Sequence, residues 1–166
     1  MVGIFYEEIG ILMVSEKALQ NLAKIFESNG VFWILSGSTS LYLQGVEITP
    51  NDIDILTDID SAVLIDELLQ DYQIKKSEYS ETEKYRSYFG VYEIGGVKVE
   101  VMANFQYRLK SGDWSEINHY HPTIFLNLGS SRIPVLSLEQ ELKEYRNLGR
   151  METADKIEKV INEKVA

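Results

Sequence analysis

Apolar residues at Leu19, Leu22, Ile25 and Phe26 recur at the spacing of one helix face, with Ser15 ahead of them as N-cap and Asn29-Gly30 as the stop. The unbroken apolar run at residues 31–35 reads as a short buried strand, ended by Ser36-Gly37-Ser38. A brief helix fits residues 39–44, closing at Gly45, and residues 52–56 alternate as a strand after Pro50-Asn51. Asp60 or Ser61 then caps a helix whose apolar face holds Val63, Leu64, Leu68 and Leu69.

Two β-rich runs, 85–94 and 97–102, flank Gly95-Gly96, a pair suited to the positive φ of a tight hairpin turn. An aromatic, looser stretch follows over residues 103–122, then a last strand at 132–136. Ser137 with Gln140 forms a capping box opening a helix that Gly149 ends, and a charged helix runs over about 150–164. The order α-β-α-β-α-β-β-β-α-α predicts an α+β (or α/β) fold with a mixed β-sheet flanked by helices. The 166 residues suit a single domain, with a core at about 15–136 and a C-terminal helical pair at about 137–166.

Composition narrows the chemistry. The chain has no cysteine, so disulfides, thiolate zinc sites and a cysteine nucleophile are excluded. Residues 1–14 are apolar but carry Glu7 and Glu8 and no basic residue, unlike a secretory signal. No apolar run reaches the ~18–20 residues of a membrane span, so the expectation is a cytoplasmic protein with no membrane partner. The formal charge of -10 argues against broad, non-specific nucleic-acid binding. Residues 44–83 hold eleven acids against Lys75 and Lys76, so nearly all of the excess lies there.

Inside that segment stands Asp52-Ile53-Asp54. On a strand, residues i and i+2 share a face, so both carboxylates point one way while Ile53 and Ile55 enter the core. Two carboxylates ~5 Å apart repel by about 3 kcal/mol at an effective dielectric near 20. Solvent, protonation or a hard divalent cation relieves this, and Mg²⁺ favours such oxygen ligands. Upstream, Gly37 lets backbone approach a ligand, Ser38 offers a hydroxyl, and the opening helix offers N–H groups to an anion. The plainer account is a turn and a cap. In residues 97–102 the valines alternate inward and put Glu100 on the outer face beside Lys98. Glu100 either joins the two aspartates or belongs to a salt-bridged surface.

Gly37-Ser38, Asp52-Ile53-Asp54-Ile55 and Val99-Glu100-Val101, in that order, resemble the nucleotidyltransferase superfamily of the DNA polymerase β-like fold, in particular its minimal members. The resemblance spans roughly residues 18–102. It implies that Asp52 and Asp54 hold Mg²⁺, or Mn²⁺ in its place, against a nucleoside triphosphate, and that Gly37 and Ser38 cradle the β- and γ-phosphates. Glu100 would complete the metal site or take a proton from the attacking hydroxyl. The implied reaction moves a nucleoside monophosphate to an acceptor (a small molecule, a protein side chain or an RNA end) and releases pyrophosphate. Many relatives carry an arginine shortly before the first aspartate, where this chain has Val46-Glu47-Ile48-Thr49-Pro50. Lys143, Arg146 and Arg150 are the candidate replacements for nucleotide binding, with a simple role at the helix C-terminus as the rival account.

The alternative function is a catalytically silent nucleotide-binding or protein-interaction module, such as a toxin–antitoxin component. The resemblance also implies a helical protein partner or a homo-oligomer. His119-Tyr120-His121 has poor spacing for zinc and reads as an ordinary loop. Tyr79, Tyr85, Tyr88, Tyr92, Tyr107 and Trp114 read as packing residues. Two other Asp-x-Asp families fit less well. Dehalogenase-type phosphatases place the apolar strand before the aspartates, and nucleotide-sugar glycosyltransferases need a larger domain.

Overall fold

The computed structural model describes residues 2–117 and 124–165, with side chains from Ser15 onward. His119-Tyr120-His121 lies outside the described residues. The first helix, α1, covers Val2–Ser28 and runs straight through Ser15, which is buried rather than capping. The segment ahead of Ser15 holds no proline, so nothing forces the chain out of the helix there. Strand β1 (Ile34–Ser36) leads into helix α2 (Gly37–Leu43), and β2 (Ile53–Thr57) into α3 (Ile59–Leu68). The cap of α3 is Asp58, whose carboxylate accepts from the Ser61 N–H at 2.7 Å, in place of Asp60 or Ser61. Leu64, Leu68 and Leu69 pack into the main core as expected, joined by Ala62 and Ile65, whereas Val63 turns out to solvent at 55% exposure, which corrects that one position of the expected face.

Five strands follow: β3 (Gln73–Glu81), β4 (Tyr85–Ile94), β5 (Val97–Tyr107), β6 (Ile124–Leu128) and β7 (Ser131–Val135). Helices α4 (Leu138–Asn147) and α5 (Met151–Val165) close the chain. The sequence pattern missed β3 and β6, the two edge strands. β3 is largely exposed and rich in charge, so no buried face imposes an alternation on it.

Among the described residues the strands form one seven-stranded mixed sheet in the order β3-β4-β5-β2-β1-β7-β6. β2 runs parallel to β5 and β1 parallel to β7, and the remaining neighbours are antiparallel. The β4–β5 hairpin turns on Gly95 and Gly96, both at positive φ, as the sequence predicts.

Alternation assigns opposite jobs to the two sheet faces. Ile53, Ile55, Val99 and Val101 pack with Leu19, Leu22 and Phe26 of α1 and Ile65 of α3 in the main core. The intervening residues face the other way. There Ile34, Leu56 and Leu136 form a smaller cluster with Met102 and Phe105. A third cluster, of Leu41, Val46, Leu138 and Ile157, fastens the C-terminal helices to α2. That contact brings α4 over the second face.

One irregularity shapes this face. Arg86 pairs with Gln106 but Tyr88 pairs with Ala103, so β5 carries an extra residue there, and Asn104 takes φ +52°. Asparagine tolerates this left-handed conformation better than most residues. A bulge of this kind re-aims the side chains beyond it. Phe105 therefore faces the same side as Glu100 and Met102, which plain alternation would not allow.

Candidate active site

Three neighbouring strands set the polar row of the site. Asp54 of β2 pairs with Ser36 of β1 on one side and with Glu100 of β5 on the other. Asp52, just before β2, lies on the same face, and its carbonyl accepts from the Thr39 hydroxyl at 2.7 Å. Ser38 Oγ accepts from the Asn51 N–H at 3.0 Å. The first turn of α2 thus pins the stretch leading into the aspartates. Ser38 accepts there, keeps its own O–H to donate, and does not line the cleft described below.

Asp54 is the strained member. Its Oδ1 is buried without a hydrogen-bond partner. Burial, then the charges of Glu100 and Asp52 and a hydrogen bond with Glu100, push its carboxyl up to about 7, against the pull of Lys98. Gly37 sits against it with φ +73°, and a Cβ at Gly37 would run into the Asp54 carboxylate. Only glycine combines that backbone with that proximity.

These groups open into a cleft of about 480 Å³. Its polar end is formed by Ser36, Gly37, Asp52, Asp54 and Glu100. Its other end is apolar and aromatic, with Leu56, Phe89, Met102 and Phe105 on the sheet and Tyr85 beside them. Tyr85, read from sequence as a packing residue, is therefore part of the cleft wall, and Arg150 donates to its hydroxyl at 3.0 Å. Tyr92 and Tyr107 are buried packing residues as expected.

Helix α4 covers the cleft with Glu141, Glu144, Tyr145 and Leu148, positions that share one helix face. Glu141 is only 2% exposed and accepts the Gly37 N–H at 2.9 Å. Burial, then Glu144, hold its carboxyl well above the usual range, although the Gly37 N–H pulls the other way. Glu144 is pushed up to about 7 by burial, and Gln140 donates to it at 3.3 Å.

The same helix geometry turns Lys143 and Arg146 away. They line a separate surface pocket with Lys110, and Arg146 pairs with Glu158 at 2.7 Å. Of the three C-terminal cations only Arg150 reaches the cleft. Sequence reading missed Glu141 and Glu144. Their signal was a carboxylate at 141 on the stripe defined by Leu138, Leu142 and Tyr145, where an apolar residue is the norm.

Asp52, Asp54 and Glu100 would hold a divalent cation. All their donors are oxygen, and the unpaired Asp54 Oδ1 lacks the partner such an ion would supply. Among the described residues no three acidic or histidine side chains are already drawn together as a metal cage. Instead Lys98 Nζ lies 2.8 Å from Glu100 Oε1 and 3.9 Å from Asp52 Oδ2.

A Gly-Ser turn at a strand end, an aspartate pair at the mouth of the next strand and a third carboxylate on a parallel neighbour define a member of the nucleotidyltransferase-like superfamily. Solved structures agree. A candidate nucleotidyltransferase from Thermotoga maritima superposes with a TM-score of 0.75 at 37% identity, covering 89% of this chain and 92% of its own. An antigenic nucleotidyltransferase-like protein from Paracoccidioides brasiliensis shares the fold at a TM-score of 0.50 and 15% identity, over 88% of this chain and 73% of that one. No curated protein matched the chain. The sequence profile of the aminoglycoside-2''-adenylyltransferase family matches residues 18–160, and the chain belongs to that family.

Proposed function

We propose that the protein transfers a nucleoside monophosphate from a nucleoside triphosphate to a hydroxyl of a small-molecule acceptor, with Mg²⁺, or Mn²⁺ in its place, at Asp52, Asp54 and Glu100. The observation that carries this reading is the buried Asp54 carboxylate, its Oδ1 without a partner, set between Glu100 and the Gly37 turn. Buried polar atoms nearly always have a partner, so an orphaned one at a cleft wall calls for an explanation that a bound ion would supply. The acceptor oxygen would form a bond to the α-phosphorus as the α–β bridge breaks, with pyrophosphate leaving over Gly37. Glu100, paired across the strands with Asp54, would either complete the metal site or take the acceptor proton. Bound Mg²⁺ would supply charge neutralisation of the triphosphate and of the developing oxyanions.

The family name directs the first acceptor trials to aminoglycosides. Buried Glu141 and Glu144 over the cleft favour an amine-bearing acceptor. A nucleoside triphosphate donor would suit a cytoplasmic protein. Among the described residues no helix is long and apolar enough to cross a membrane.

Calorimetry with ATP and Mg²⁺, followed by a pyrophosphate-release assay across acceptors, tests the reading. Asp52→Asn with Asp54→Asn is expected to abolish metal-dependent ATP binding and to raise stability in metal-free buffer, because the repulsion is relieved. Unchanged affinity in the double variant would reject the site. One observation favours a second reading, a silent nucleotide-binding module: Lys143 and Arg146 point away from the cleft. Metal-dependent ATP binding without pyrophosphate release would select it.

A further inference from the structure

Lys98 is the cation in direct contact with the acidic row. Its ammonium bridges Glu100 Oε1 at 2.8 Å and Asp52 Oδ2 at 3.9 Å, the span across which a divalent ion would bind. Its backbone is fixed, because Val97 and Val99 on either side are buried in the main core. Its side chain is not, being 51% exposed on a flexible four-carbon stem. Among the described residues, the two cations that line the cleft are held elsewhere. Arg86 binds Gln106 and stacks on Trp114, while Arg150 binds Tyr85 and lies over the Tyr145 ring.

On the basis of the proposed function, we infer that Lys98 is a resident counter-cation that the divalent ion displaces and that then engages the nucleotide's phosphates. The metal-free row needs positive charge, because Asp52, Asp54 and Glu100 share one face and repel. Lys98 supplies it to the outer two acids and leaves the inner oxygen of Asp54 unpaired. A divalent ion satisfies that oxygen as well, so it wins the position on charge and on reach. The released ammonium is repelled by the ion and attracted by the triphosphate arriving beside it. A strong hydrated point charge on a long stem suits that exchange. An ordinary surface ion pair would be indifferent to metal.

The test uses the full-length protein stripped with chelator and titrated with Mn²⁺, first alone and then with a non-hydrolysable ATP analogue at saturating Mn²⁺. Lys98→Met keeps the stem and removes the charge. It is expected to bind Mn²⁺ about five- to tenfold more tightly than wild type without nucleotide, since a like charge a few ångströms away is gone. The same variant is expected to bind the analogue about five- to tenfold more weakly, with Lys98→Arg restoring most of that loss. In chelator it should melt at a lower temperature than wild type, a difference that Mn²⁺ erases. Equal or weaker Mn²⁺ binding by Lys98→Met overturns the displacement, and an unchanged analogue affinity overturns the phosphate contact. Failure of wild type to bind Mn²⁺ at all would overturn the proposed function, and this inference with it.

Discussion

The main-chain N–H of Gly37 donates to Glu141 Oε1 at 2.9 Å, joining residues 104 positions apart in the chain. The contact couples the turn beside the aspartates to the helix that covers them. It also gives the C-terminal pair a polar anchor in addition to the apolar cluster of Leu41, Val46, Leu138 and Ile157.

Glu141→Ala leaves the half-buried Gly37 N–H without its acceptor, at a cost of about 1 kcal/mol. Glu141→Gln keeps a carbonyl oxygen at the same reach and is expected to recover most of that loss. Denaturant midpoints of the two variants check this. Equal destabilisation by both would show that the contact with Gly37 is not what Glu141 contributes.

Gly37→Ala meets two obstacles. A left-handed backbone costs a residue with a Cβ about 1–2 kcal/mol, and here the Cβ must also displace the Asp54 carboxylate. Gly45→Ala is the control, since Gly45 also has positive φ but open space around a Cβ. Both variants should lose stability, and only Gly37→Ala should lose metal-dependent ATP binding. Loss in both, or in neither, would contradict the close-approach account.

The carboxyl of Asp54 is pushed up from 3.8 to about 7, so between those values the folded protein holds a proton that the unfolded chain releases. Stability from this group is therefore full below about pH 4 and is lost as pH rises toward 7. Glu144, also raised to about 7, acts in the same direction. In chelator the melting temperature of wild type should fall between pH 5 and pH 8 more than that of Asp54→Asn. Mg²⁺ should raise it at pH 8 far more than at pH 5. Parallel pH profiles for the two proteins would refute the assignment to Asp54.

Buried alternation made much of this architecture legible. Ile53 and Ile55, then Val99 and Val101, announced the faces of β2 and β5, and with them the shared side of Asp52, Asp54 and Glu100. Capping chemistry fixed the start of α4, where Ser137 accepts from the Gln140 N–H at 3.2 Å. The edge strands were hidden because exposed residues follow no alternation, as the run from Gln73 to Glu81 shows. Rotation about α4 was hidden as well. Lys143 and Arg146 carry the expected charge, but the apolar contacts of Leu138, Leu142 and Tyr145 turn the helix so that glutamates cover the cleft. Strand order, which brings Glu100 beside Asp54, rests on a parallel pairing between distant segments that no local pattern encodes.

The extra residue at Asn104 has a consequence for how the cleft can vary. Ahead of it, even-numbered positions of β5 face the cleft; beyond it, odd-numbered ones do, so the strand is read in two frames. Removing one residue there would close the bulge and keep Phe105 on the cleft side, whereas straightening the strand with no residue removed would carry the even frame onward and bring Gln106 there instead, with Glu100 untouched in both cases. The lining of the aromatic end therefore hangs on the backbone conformation at Asn104, while Asp54 and Glu100 upstream keep their register.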